Sequence, residues 1–210
     1  MGRDGDRPAP RPEAEGERAV DAVGFGRGEA LFDHEVGVNE RTLRRAVSEG
    51  TLRGSRPSPR VLELPLAERA YIRRRWPLLS TLRAALRTER NVRFALLFGS
   101  AAIGEDSEGS DVDVIADLRD PSLDRVLDLE LRLEAAVGRP VDVIRLEDAE
   151  GDPTFLAGAL DVGRVLVDRG EAWPPLRRRV SSLRRRGRER DAMRKRSALA
   201  GVDRFLARAR

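Results

Sequence analysis

The sequence has no cysteine and a single histidine, His34, among its 210 residues. Disulfides and thiolate metal sites are therefore excluded, and no histidine cluster is available for zinc. Any metal must be held by oxygen, which points to Mg²⁺ or Mn²⁺, hard ions that prefer carboxylates. Long apolar runs are also lacking. None approaches the roughly 20 residues that span a bilayer, and the N-terminal stretch MGRDGDRPAPRPEAEGER has no apolar centre of the kind a secretory signal needs. A cytoplasmic protein with no membrane contact is expected. Lysine is nearly missing, Lys195 being the only one; this reads as coding bias and carries no functional weight.

What is present is charge, unevenly distributed. Residues 1–90 carry 18 arginines against 14 acids, residues 91–170 carry 8 arginines against 18 acids, and residues 171–210 carry 14 basic residues against 4 acidic ones. An acidic middle between basic ends suits a cation-binding site flanked by surfaces that attract phosphate or an acidic partner. The hydrophobic fraction of 40% is enough for a modest core, in one ordinary domain or two small ones.

Along the chain, residues 1–18 mix Pro, Gly and charge without periodicity and read as a disordered tail. Residues 19–64 read as a winged helix-turn-helix. Phe32 and Val36 precede a turn at Gly37 and Val38, and Leu43, Ala46 and Val47 mark the buried face of a second helix capped by Asn39 and ended by Gly50. Asp33 departs from the pattern, and LRGSRPSPRVLEL would form the wing. Arg41, Arg44 and Arg45 on the second helix are the candidates for DNA contact. Residues 65–90 hold two connecting helices, one opened by Pro65 and one by Pro77. From Asn91 the period changes: VRFALLF and DVDVIADL read as strands, PSLDRVLDLELRLEAAVG as an amphipathic helix, and PVDVIRL as a third strand. A short helix over residues 153–163 and an edge strand RVLVD close an α/β unit spanning residues 91–170. Residues 171–210 form a basic helical tail with sparse apolar positions (Val180, Leu183, Met193, Leu199, Val202, Leu206).

The chemistry concentrates in GSAAIGEDSEGSDVD, residues 99–113. Gly99 lets the backbone approach a phosphate, and Ser100 offers a hydroxyl and opens a helix; Ser110 joins them as a nucleotide-binding candidate. Asp111 and Asp113 are two apart on a strand, so they share a face, while Val112 and Val114 face the core. Asp142 lies in VDVI on a later strand, where pairing can bring a third carboxylate beside them. Three such carboxylates repel one another unless a cation lies between them.

At these residues the sequence resembles the minimal nucleotidyltransferases of the DNA polymerase β superfamily, whose motif is Gly-Ser, ten residues, then Asp-x-Asp, with a third Asp on a later strand. One position departs: Ile103 stands where many members have an arginine between Ala102 and Gly104. The resemblance implies an α/β (α+β) polymerase β-like domain, ATP or another NTP as donor, and Mg²⁺ (or Mn²⁺) as cofactor. Asp111, Asp113 and Asp142 would be ligands and Asp142 the candidate base. In bacteria such enzymes resemble antitoxins that adenylylate a toxin-like protein, and toxins that add nucleotides to transfer RNA. A protein or RNA hydroxyl as acceptor follows from that resemblance, with the oligomeric state, homo- or hetero-, left open. The alternative is an autoregulatory DNA-binding protein that uses the nucleotidyltransferase fold as a non-catalytic scaffold. His34 reads as structural, the basic tail as a solvated face or an RNA- or partner-binding one, and Ser181 and Ser182 have no base nearby in sequence.

Overall fold

The computed structural model of the protein describes residues 37–58 and 61–208. The tail at residues 1–18 and the first helix of the expected helix-turn-helix, with Phe32, Asp33, His34 and Val36, lie outside the described residues. The second helix is present as α1, Glu40–Ser48. Asn39 caps it as the sequence predicts, its Oδ1 accepting from the Thr42 N–H at 2.9 Å. Leu43 and Ala46 are fully buried. The residues expected to form a wing contain an antiparallel pair, β1 (Ser55–Ser58) with β2 (Val61–Glu63).

Residues 65–90 correct the sequence reading. A single 23-residue helix, α2 (Leu66–Thr88), replaces the two expected, with Pro65 at its N-cap and Pro77 inside it. Pro77 has no N–H for the carbonyl one turn earlier, yet the helix continues. The reason is tertiary: Tyr71 and Ile72 before it, and Leu79, Leu82 and Leu86 after it, are all buried in one core, while Pro77 itself is exposed.

Four strands form a sheet in the order β5-β4-β3-β6, made of β3 (Val92–Leu97), β4 (Val112–Leu118), β5 (Val141–Arg145) and β6 (Arg164–Asp168). β3 is antiparallel to both β4 and β6, and β4 and β5 are parallel. The parallel pair requires a crossover, supplied by α4 (Leu123–Val137). The alternation of strand side chains divides the core in two. Ala95, Leu97, Val112 and Val114 join α1, α2 and α4 on one face. Phe94, Leu96 and Ile115 join α6 (Pro153–Val162) on the other. Before β4, the one-turn α3 (Gly99–Ile103) follows β3, and after β5 a short α5 (Leu146–Glu150) begins at the last residue of the expected strand.

The basic tail is in part a piece of this core. Leu176 of α7 (Trp173–Arg178) and Leu183 of α8 (Val180–Arg208) are buried in the second cluster. A Cβ on Gly187 would lie 2.3 Å from Thr154 Oγ1, so glycine is what lets α8 approach α6 this closely. From residue 188 to 200 every side chain is exposed. No helix among the described residues is long and apolar enough to cross a membrane.

Candidate active site

The sequence-predicted carboxylates all lie at the sheet end that carries the start of β4 and β5. Asp113 and Asp142 are direct partners across the parallel β4–β5 ladder, so their side chains leave the same face. Asp111 lies one residue before β4, exposed, with the fully buried Val112 between it and half-buried Asp113. Burial pushes the Asp113 carboxyl above the ordinary carboxylate value, and the neighbouring Asp142 and Asp111 carboxylates raise it further. As they stand, no three acidic side chains among the described residues are close enough together to hold an ion.

The Gly-Ser turn is pressed against this group. The Phe98 N–H donates to Asp113 O at 3.0 Å, extending the β3–β4 ladder to the turn. Gly99 follows with φ +68°, and a Cβ there would stand 2.2 Å from Asp113 Oδ2. Glycine is required twice over, for the left-handed backbone and for the space. Ser100 opens α3, its carbonyl accepting from the Gly104 and Glu105 N–H groups. Ser110 closes a turn with Ser107, accepting from the Ser107 N–H at 3.0 Å. Ile103, at the position of the usual arginine, is 38% exposed at the end of α3.

Sequence reasoning missed the groups that hold this turn and loop in place. Asp106, with its carboxylate fully buried, sits between Arg75 of α2 (Nε–Oδ1 2.8 Å) and Arg139 just before β5 (Nη2–Oδ2 2.7 Å). It thereby ties the loop leading to Asp111 to the helix on one side and to the strand carrying Asp142 on the other. Arg164, 1% exposed at the start of β6, donates from Nε to the Ala102 carbonyl at 2.6 Å and forms a two-point pair with Glu68 of α2. Its guanidinium lies 3.4 Å from the Tyr71 ring centroid. Tyr71 donates to the Ala101 carbonyl at 3.0 Å, and burial pushes its phenol up to about 12, so it remains a donor at any physiological pH. The one signal available was an arginine opening an otherwise apolar strand, RVLVD; nothing distinguished Asp106 or Glu68 from the surrounding acidic residues.

The family model described as polymerase beta, nucleotidyltransferase matches residues 80–172. The protein adenylyltransferase MntA of Thermococcus cleftensis is 40% identical over 68 residues, which are 32% of this chain and 69% of that protein. The chain belongs to the minimal nucleotidyltransferases of the polymerase β superfamily. Among solved structures, a toxin–antitoxin crystal structure with AMP-PNP is similar at 20% identity and a TM-score of 0.48, covering 57% of this chain and 98% of that one. The MntA–HepT toxin–antitoxin structure is similar at 18% identity and a TM-score of 0.44, covering 57% and 96%. As a nucleotidyltransferase of this family, the chain presents its Gly-Ser turn and Asp-x-Asp pair as one contiguous unit at the sheet end.

Proposed function

We propose that the chain transfers AMP from ATP to a hydroxyl of a protein acceptor, with Mg²⁺ held by Asp111, Asp113 and Asp142. The observation that carries this reading is the convergence on Asp113: Asp142 is its ladder partner, and Gly99, bare of a side chain, abuts its carboxylate. In donor chemistry, though not in their spacing as they stand, the residues fit a hard divalent ion. All donors are carboxylate oxygens, and Asp113 is held above its ordinary pKa partly by two neighbouring like charges, which a cation would relieve. When bound, the ion neutralises charge on the triphosphate and the departing pyrophosphate. Gly99 and Ser100 let the backbone come close to the phosphates, with Ser110 at the far end of the loop beside Asp111. The acceptor oxygen bonds to the α-phosphorus, the bond from that phosphorus to the pyrophosphate oxygen breaks, and the exposed Asp142 takes the hydroxyl proton.

The protein acceptor is supported by the name of the archaeal relative, a protein adenylyltransferase, and suits the antitoxin-type role that the resemblance implies, with a toxin-like partner. RNA is the competing acceptor. Purified protein with Mg²⁺ and each α-phosphate-labelled NTP, given either total transfer RNA or the product of an adjacent gene, separates them. We expect label from ATP on protein, reduced on the order of 10²–10⁴-fold by Asp111→Ala/Asp113→Ala. Label on RNA would move the acceptor; no transfer from any NTP by folded protein would leave the fold as a scaffold.

A further inference from the structure

Away from the carboxylates, α1 and α2 enclose a groove in which basic side chains face one another. α1 turns Leu43 and Ala46 inward and Arg41, Arg45 and Ser48 outward, at the spacing of successive helical turns. α2 contributes Arg83 and Arg87, also one turn apart. These four arginines line a cleft of about 370 Å³ with half-buried Trp76 on its wall and no carboxylate among its lining residues. Arg45, Arg83 and Arg87 continue into an adjoining cleft of about 490 Å³, where Glu49 pairs with Arg45 at 2.6 Å and with Arg83. Arg41 and Arg87 have no ion-pair partner among the described residues. In the first cleft four guanidinium groups face no carboxylate, while the adjoining cleft adds Arg169 and the carboxylates of Glu49, Asp168 and Glu171; the remaining excess of arginine is relieved by an anion with several charges spaced along it.

We propose that this groove binds the phosphate backbone of duplex DNA. An exposed helix of two to three turns with arginines on its outer face fits the major groove of B-form DNA, about 12 Å wide, whereas the major groove of an RNA duplex is too narrow to admit it. Arg41 and Arg45 then reach backbone and base edges from α1, while Arg83 and Arg87 clamp phosphates from α2, a helix outside the motif visible in the sequence. The same geometry removes Arg44 from the contact. It is half-buried on the other flank of α1, its Nε bonded to Glu40 Oε1 at 2.6 Å, and it lines neither cleft. The site is independent of the nucleotidyl-transfer reading and stands or falls separately.

The test is fluorescence anisotropy of the full chain with a labelled 30-base-pair duplex across a salt series, beside a labelled single-stranded RNA and inorganic triphosphate as competitor. Arg41→Ala/Arg87→Ala should lower duplex affinity at least about tenfold and reduce the slope of log K against log salt by about two, one for each phosphate contact removed. Arg44→Ala should change neither, and circular dichroism should show all variants folded. Single-stranded RNA binding more tightly than duplex, or triphosphate displacing duplex at micromolar concentration, would overturn the assignment to DNA. So would duplex affinity that is untouched by Arg41→Ala/Arg87→Ala but lost in Lys195→Ala/Arg196→Ala, which would place binding on α8.

Discussion

Gly99 shows how one residue joins backbone conformation to the geometry of the proposed site. Its φ of +68° would cost an L-residue about 1–2 kcal/mol, and its missing Cβ leaves the space that Asp113 Oδ2 fills. Gly37 has a similar φ of +64°, but among the described residues nothing lies within 4 Å of where its Cβ would stand. The two glycines therefore separate backbone strain from displacement of the carboxylate. Both Gly99→Ala and Gly37→Ala should lower the urea midpoint, but only Gly99→Ala should lower kcat for nucleotidyl transfer beyond the fraction unfolded, because the new methyl group must push Asp113 aside. Equal kcat in the two variants would mean that the position of Asp113 tolerates this shift. The pair of glycines was legible only in part: Gly99 stood out in the sequence through its serine and the downstream Asp-x-Asp, whereas the contact that makes it indispensable lies across two strands.

Elements were legible where their own side chains carry the signal. β3, β4 and β5 alternate or run apolar as buried strands do, and α1 announces its start with Asn39. α2 was misread because proline is at home in a first helical turn, and the rule fits Pro65 and Pro77 equally well. Only the shared core decides between them, since Ile72 and Leu79 on either side of Pro77 are both fully buried. The basic tail was legible as a helix with sparse apolar positions, Leu183 among them, but its packing was not: Leu176, Leu183 and Gly187 signal it only once α6 is beside them. The geometry of α2 carries its own prediction. Pro77 is exposed and costs its helix a backbone hydrogen bond, and proline inside a helix is about 3 kcal/mol worse than alanine. Pro77→Ala should therefore raise the urea midpoint, with a gain of about 1–3 kcal/mol. A midpoint that falls instead would show that proline at position 77 is needed for both halves of α2 to reach the core.

At the scale of the molecule, Arg164 connects three regions that are distant in sequence. From the first residue of β6 it reaches Glu68 on α2, the Ala102 carbonyl at the end of the Gly-Ser turn's helix, and the Thr51 carbonyl just after α1 (3.3 Å). The pair with Glu68 is nearly sealed from solvent, with side-chain exposures of 2% and 3%. Desolvation makes such a pair a poor source of net stability, but removing one partner strands the other charge and typically costs about 3–5 kcal/mol. Glu68→Ala should therefore destabilise the protein by that amount, read from urea unfolding. In Glu68→Leu/Arg164→Met, which strands neither charge of this pair, much of that loss should be recovered. Activity should not follow stability, because methionine cannot donate to Ala102 O, and the turn bearing Ser100 loses its tether to β6. The double variant should be folded and should show a raised KM for ATP. Recovery of both stability and KM would reduce Arg164 to a core-filling residue; a KM that stays high in a stable double variant would identify the guanidinium as the link between the core and the nucleotide turn.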